Sequence, residues 1–99
     1  MTGLPEGAEP YKRTPTFTEV SVPGGLLNDH STKKGVWGLI HVEQGQLRYL
    51  ATDPRRTATE RVLTPDTLPG VVEPTILHHV VPLGAVCFHV QFYKLAGND

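Results

Sequence analysis

Ninety-nine residues with a formal net charge of −1 make one domain with room for a single core. They exclude a nucleic-acid backbone as the main partner, since Lys33-Lys34 and Arg55-Arg56 are too short to form a basic patch. Ten glycines and nine prolines interrupt every window in which a helical apolar stripe would have to persist, which reads as an all-β composition. The single cysteine, Cys87, excludes an internal disulfide framework and suits a small core position. With no apolar run of leader or membrane length, a cytoplasmic location and no membrane partner are expected.

In chain order, residues 1–10 are polar and rich in Gly, Pro and Glu, an arm expected to fold only by docking onto something else. The domain is expected over 11–93 and a frayed tail over 94–99. Thr16 to Val22 alternates, with Phe17, Val20 and Val22 apolar, and reads as a first strand closed by Pro23-Gly24-Gly25. Leu26-Leu27 returns the chain to the core, and Asn28 to Lys34 is a polar loop that carries His30. From Gly35 onward, Val36, Gly38, Ile40 and Val42 share one parity, while Trp37, Leu39, His41 and Glu43 share the other, the two-residue period of a strand. Gln44-Gly45 then reads as a hairpin turn, Gly45 taking a positive φ, with Leu47 and Tyr49 on the returning strand.

Thr52 to Thr57 is a surface loop with Asp53-Pro54 as its turn signal, and Glu60 to Leu63 a short strand. Val71-Val72-Glu73 is a brief strand, because Pro74 has no amide hydrogen to continue a ladder. Val80-Val81 runs into a Pro82-Leu83-Gly84 turn, and the last strand is Ala85 to Tyr93, with Val86, Phe88, Val90 and Phe92 on one face. Seven or eight short strands separated by turns imply a sandwich or barrel of the jelly-roll kind. Its core is expected to hold Ile40, Val42, Leu47, Phe88, Val90 and Phe92. Trp37 lies on the opposite parity and is expected at a sheet edge or a homodimer contact, where an amphipathic ring covers apolar surface.

Five histidines raise the question of a metal, since a divalent transition ion needs three or four N, O or S donors converging at about 2.0–2.3 Å. His30 is either a solvated loop imidazole or a ligand. His78 and His79 are adjacent, so within a strand they point to opposite faces and one of them at most enters a given pocket. His41 falls on the outer parity with Glu43, and His89 faces away from the Phe88, Val90, Phe92 stripe. The available donors are His30, His78, Glu73 and His89, with no His-x-x-x-His or Cys-x-x-Cys spacing among them.

The series Tyr11-x-Arg13-Thr14, Val22-Pro23-x-Gly25-Leu26, His30-x-Thr32-Lys33-x-Gly35-x-Trp37-Gly38, Gly45-x-Leu47-x-Tyr49, Val72-Glu73-Pro74, His78 and Phe92-Tyr93 resembles the TehB/YeaR-like family. These are small cupin-like domains found alone or fused ahead of a tellurite-resistance methyltransferase. The resemblance implies a cupin-like double-stranded β-helix, a compact jelly roll with a metal site in its mouth. His30 resembles the first histidine of the cupin pattern and His78 the single histidine of its second motif. Thr32 stands where a second histidine would, and Gly38 near the usual glutamate. The expected site is therefore His30 and His78 completed by Glu73, His89, His79 or water, holding a divalent transition metal, zinc first, with iron, nickel or manganese also compatible. Thr32, Lys33 and Trp37 are the candidate ligand-contacting residues, and Lys33 and Arg13 would complement an anion.

Two functional classes follow. One is a binding or sensing module for a small molecule or oxyanion in a metal-lined pocket, as part of a stress response. The other is a small hydrolytic or dioxygen-dependent metalloenzyme, and a structural or dimerisation module without metal is the plainer alternative.

Overall fold

The computed structural model describes residues 3–95. Its spine is a pair of long antiparallel strands, β3 (Val36–Ala51) and β6 (His78–Leu95), in register from Val36 opposite Lys94 to Ala51 opposite His78. On the outer side of β6 lie β1 (Ala8–Arg13), against Leu95 to Gln91, and the two-residue β2 (Phe17–Thr18), against Phe88 and Cys87. On the outer side of β3, β5 (Gly70–Val72) pairs with Gly38 to Ile40, and β4 (Thr59–Leu63) pairs with Leu47 to Ala51. The sheet order is β1-β6-β3-β4, and the one helical turn among the described residues is α1 (Gly24–Leu27). The all-β class expected from composition is what the chain adopts.

The expected hairpin at Gln44-Gly45 does not form. β3 runs straight through it, and β6 runs through Pro82-Leu83-Gly84 in the same way. The two sites face each other. Between Gly45 opposite Val86 and Leu47 opposite Pro82, β3 contributes Gln46 alone while β6 contributes Leu83, Gly84 and Ala85. A second register shift, between Val42 and Gln44, gives β3 an extra residue at Glu43. Glycine in the left-handed region serves a bulge as readily as a turn, so the local signal was right about φ and silent about direction. Gly45 has φ +80 and Gly84 φ +88. The chain needs glycine at Gly45 for a second reason: a Cβ there would strike the Ala85 carbonyl oxygen and lie 3.1 Å from the Val86 Cα.

The bulges divide the spine into two halves and turn one apolar face inward. Ile40, Val42, Leu47, Phe88 and Val90 are buried as the two parities predict, joined by Val22, Tyr49, Leu63, Val72, Val80 and Val86. The sixth expected core residue, Phe92, is only partly buried and packs at the rim of this cluster. Phe17 on β2 closes over Phe88, ring centroids 5.7 Å apart in an edge-on arrangement.

The ends of the domain extend beyond the expected boundaries. Ala8 to Pro10, assigned above to an arm, are paired strand on β6, and Lys94 and Leu95, assigned to a tail, are still part of that strand. Within the expected arm, Ala8 to Pro10 are docked on the chain's own β6. The remainder of the expected tail, 96–99, and residues 1–2 lie outside the described residues. Trp37 sits opposite Tyr93, half-buried.

Candidate functional site

A cavity of about 360 Å³ opens on the inner face of the sheet. Its walls are the apolar stripe of the spine: Val36 and Ile40 of β3, Val72 of β5, and Val80, Phe88, Val90 and Phe92 of β6. One side is closed by the loop His30-Ser31-Thr32-Lys33 with Leu26 of α1, and exposed Tyr11 and Lys12 of β1 stand at the mouth. The parity that buries a core thus also lines a pocket, because β1 and the loop cover the inner face incompletely.

The polar end of the cavity is a histidine pair made by backbone hydrogen bonds. The His30 amide donates to the His78 carbonyl and the His78 amide to the His30 carbonyl, each at 2.9 Å. Directly opposed residues of an antiparallel bridge project to the same face, so both imidazoles fall together, with ring centroids 4.1 Å apart. His30 Nδ1 donates to the Asn28 carbonyl and His78 Nδ1 to the Ile76 carbonyl, both at 3.0 Å. A carbonyl only accepts, so each Nδ1 carries a hydrogen, and in the neutral ring Nε2 is left with its lone pair. Neither Nε2 has a hydrogen-bond partner among the described residues. Burial pushes the His78 imidazole down to about 4, with the neighbouring His30 acting in the same direction, so His78 is neutral at physiological pH.

The segments carrying these histidines are held by a buried carboxylate. Asp53, 3 % exposed, accepts from the Arg55 amide at 2.8 Å, from Arg55 Nε at 2.9 Å and Nη2 at 2.8 Å, and from the Leu77 amide at 3.0 Å. The Arg55 guanidinium and these amide donors hold its carboxyl well below the usual carboxylate range. Arg55 also donates to the carbonyl of Thr75, whose φ of +66 is the one left-handed non-glycine backbone among the described residues. The Thr75 amide donates to the Thr32 carbonyl at 3.0 Å, and the Thr32 hydroxyl to the Val36 carbonyl at 2.7 Å. Asp53 therefore anchors the approach to His78, and Thr75 ties that approach to the loop of His30. Beside the pair, Asp29 accepts from Thr52 at 2.7 Å and from His79 Nδ1 at 2.8 Å.

Of the residues singled out from sequence, His30, His78, Thr32 and Lys33 share the cavity. Glu73, His89 and Trp37 do not line it. Glu73 lies past the end of β5 and pairs with Arg56 at 3.1 Å, beside a separate depression that it lines with Tyr49, Ala51 and Ile76. His89 alternates with Phe88 and Val90 and lies outside, stacked on His41 at 5.0 Å with its Nδ1 donating to Glu43 at 2.7 Å. Trp37 is displaced by the same alternation from pocket-lining Val36. Of the expected donors His30, His78, Glu73 and His89, the first two line the cavity, and among the described residues no three His, Cys, Asp or Glu side chains converge as metal ligands would. Arg13 turns outward to Thr16 and Glu43, and Lys12 takes the place expected of it at the mouth. Sequence reasoning missed Lys12, Tyr11 and Leu26 because they reach the cavity through the docking of β1 and α1, which no local period announces.

A family profile described as the TehB-like domain matches residues 12–90. Among curated proteins, the chain is 34% identical over 74 residues to a probable S-adenosyl-L-methionine-dependent methyltransferase TehB of Haemophilus influenzae, and 32% identical to the same protein of a second strain. The match takes in 74% of this chain and 26% of each relative, so the chain spans about a quarter of their length. Among solved structures, TehB of Haemophilus influenzae superposes with a TM-score of 0.82 at 27% identity, over 91% of this chain and 32% of that one. A protein of E. coli (strain K12) superposes with a TM-score of 0.83 at 20% identity over 96% of this chain and 98% of its own, a likeness of fold alone.

Proposed function

Since the chain belongs to the TehB-like domain family, we propose that it is a small-molecule-binding module whose ligand occupies the inner-face cavity, between the His30–His78 pair and the lysines Lys12 and Lys33. The observation that carries this reading is the pair of imidazole Nε2 atoms without partners among the described residues in a mostly apolar pocket. Concave, mostly apolar sites with a few convergent polar groups are the usual form of small-ligand sites. Lys12 and Lys33 give the site a preference for anionic ligands. The bent spine and its single inward face support a reading of the architecture as a cupin-like double-stranded β-helix.

Two imidazoles alone do not fit a resident metal centre, which takes three or four protein donors. The binding reading therefore routes nothing through zinc or another ion. The relatives, about four times as long, are named as probable methyltransferases, and we assign to this chain the recognition of a ligand and to the remainder of those relatives the transfer itself.

Calorimetric titration with a panel of small carboxylates and oxyanions tests the site. For those carboxylates in the panel that also carry a hydroxyl, His30→Ala and His78→Gln are each expected to weaken binding about fivefold, the worth of one hydrogen bond. His41→Ala and prior treatment with a chelator should leave it unchanged. Wild-type affinity in both variants, with folding verified by circular dichroism, would dismiss the pocket, and loss of binding on chelation would restore a metal to it.

A further inference from the structure

The chemistry of the cavity narrows its ligand, on the premise that the pocket is the binding site. A bare inorganic oxyanion is a poor match for it. The volume, about 360 Å³, is on the order of a dozen water molecules. Phe88, Val90, Phe92, Ile40, Val72 and Val80 supply its walls, and none of them repays the desolvation of an anion. An apolar body that displaces that water gains about fourfold in affinity for each methylene buried.

The two polar regions of the cavity have opposite character. Lys12 and Lys33 are exposed, cationic and donors only. The His30–His78 pair is the reverse: both Nδ1 hydrogens are committed to the Asn28 and Ile76 carbonyls, so the two Nε2 atoms offer lone pairs side by side. Thr32 adds to this, because its hydroxyl hydrogen is committed to the Val36 carbonyl and its oxygen is left to accept. Lys33 is three residues along an extended loop from His30, a separation of roughly 10 Å. An anion set against the histidine pair would face the acceptor atoms of both imidazoles and of Thr32. A hydroxyl or amine hydrogen would meet partners.

We propose that the ligand is an amphipathic organic acid: a carboxylate held at the mouth by Lys12 and Lys33, an apolar body of several carbons along the spine, and a hydrogen-bond donor at its far end against His30 and His78. The test is calorimetry of the full chain with acetate, hexanoate, hexanoate carrying a terminal hydroxyl, inorganic phosphate and tellurite. Hexanoate is expected to bind at least about thirtyfold more tightly than acetate, the effect of four further methylenes discounted for incomplete burial. The terminal hydroxyl should add about fivefold, and that increment should vanish in His78→Phe and persist in His41→Ala. Lys33→Ala should weaken all the carboxylates alike.

Phosphate or tellurite binding as tightly as hexanoate, and sensitive to Lys33→Ala, would overturn this ligand class while leaving the pocket as the site. Equal affinity for hexanoate and its hydroxylated form would overturn the donor end. No binding by any of the five would overturn both the class and the site.

Discussion

Gly45→Ala is expected to destabilise the domain by about 3 kcal/mol or more, measured by urea or thermal unfolding. Left-handed backbone accounts for part of that, since an L side chain at φ +80 costs about 1–2 kcal/mol. The rest comes from the facing bulge. The added methyl would press into the Ala85 carbonyl oxygen, and that oxygen belongs to strand backbone that has no side-chain freedom with which to yield. Gly84→Ala is the internal control: it has nearly the same φ, +88, and open space around the added methyl. It should show only the backbone share. Equal losses in the two variants would mean that the two long strands do not meet at their bulges as described.

Replacement of Asp53 is expected to cost more than that of any of the nine other acidic residues, and to change the shape of the acid limb. Its carboxylate is the acceptor for the Leu77 amide and the Arg55 guanidinium, and its titration in the folded chain lies well below the ordinary value of 3.8. A carboxyl whose folded pKa is depressed contributes stability that is complete above the unfolded value. That contribution drains away as pH falls below about 3.8 toward the folded value, because the unfolded state takes up the proton first. Wild type should therefore lose stability more steeply below pH 4 than Asp53→Asn does, the difference approaching one proton in the linkage slope. The same substitution should loosen the ligand site, since Leu77 precedes His78 and Arg55 holds Thr75. Parallel acid limbs in the two proteins would show that Asp53 is not the keystone of this loop.

The fold was legible where parity speaks and illegible where long strands bend. Val36 to Val42 and Val86 to Phe92 announced their inner faces from alternation alone, and five of the six expected core residues are buried because burial follows parity. Gly45 and Pro82-Leu83-Gly84 were misread as reversals because a bulge and a turn place the same demand on glycine. The difference lies in what faces it across the sheet, a contact between residues some forty positions apart. The site divides in the same way. His30 and His78 stood out as chemistry, yet only their mutual backbone bridge joins them. Glu73, past the end of β5, and His89 do not line the cavity; His89 alternates with pocket-lining Phe88 and Val90 and so faces away. That exclusion was present in the sequence.

The most direct test of the account is to follow the five imidazoles individually, by nuclear magnetic resonance of isotope-labelled histidine nitrogens, while hydroxylated hexanoate is added. In the free protein, the account predicts hydrogen on Nδ1 and a lone pair on Nε2 for both His30 and His78. Saturation with the acid should shift those two Nε2 resonances together and leave His41 and His89, stacked on the opposite face, where they were. Shifts confined to His41 and His89, or hydrogen found on Nε2 of His78 before ligand is added, would contradict it.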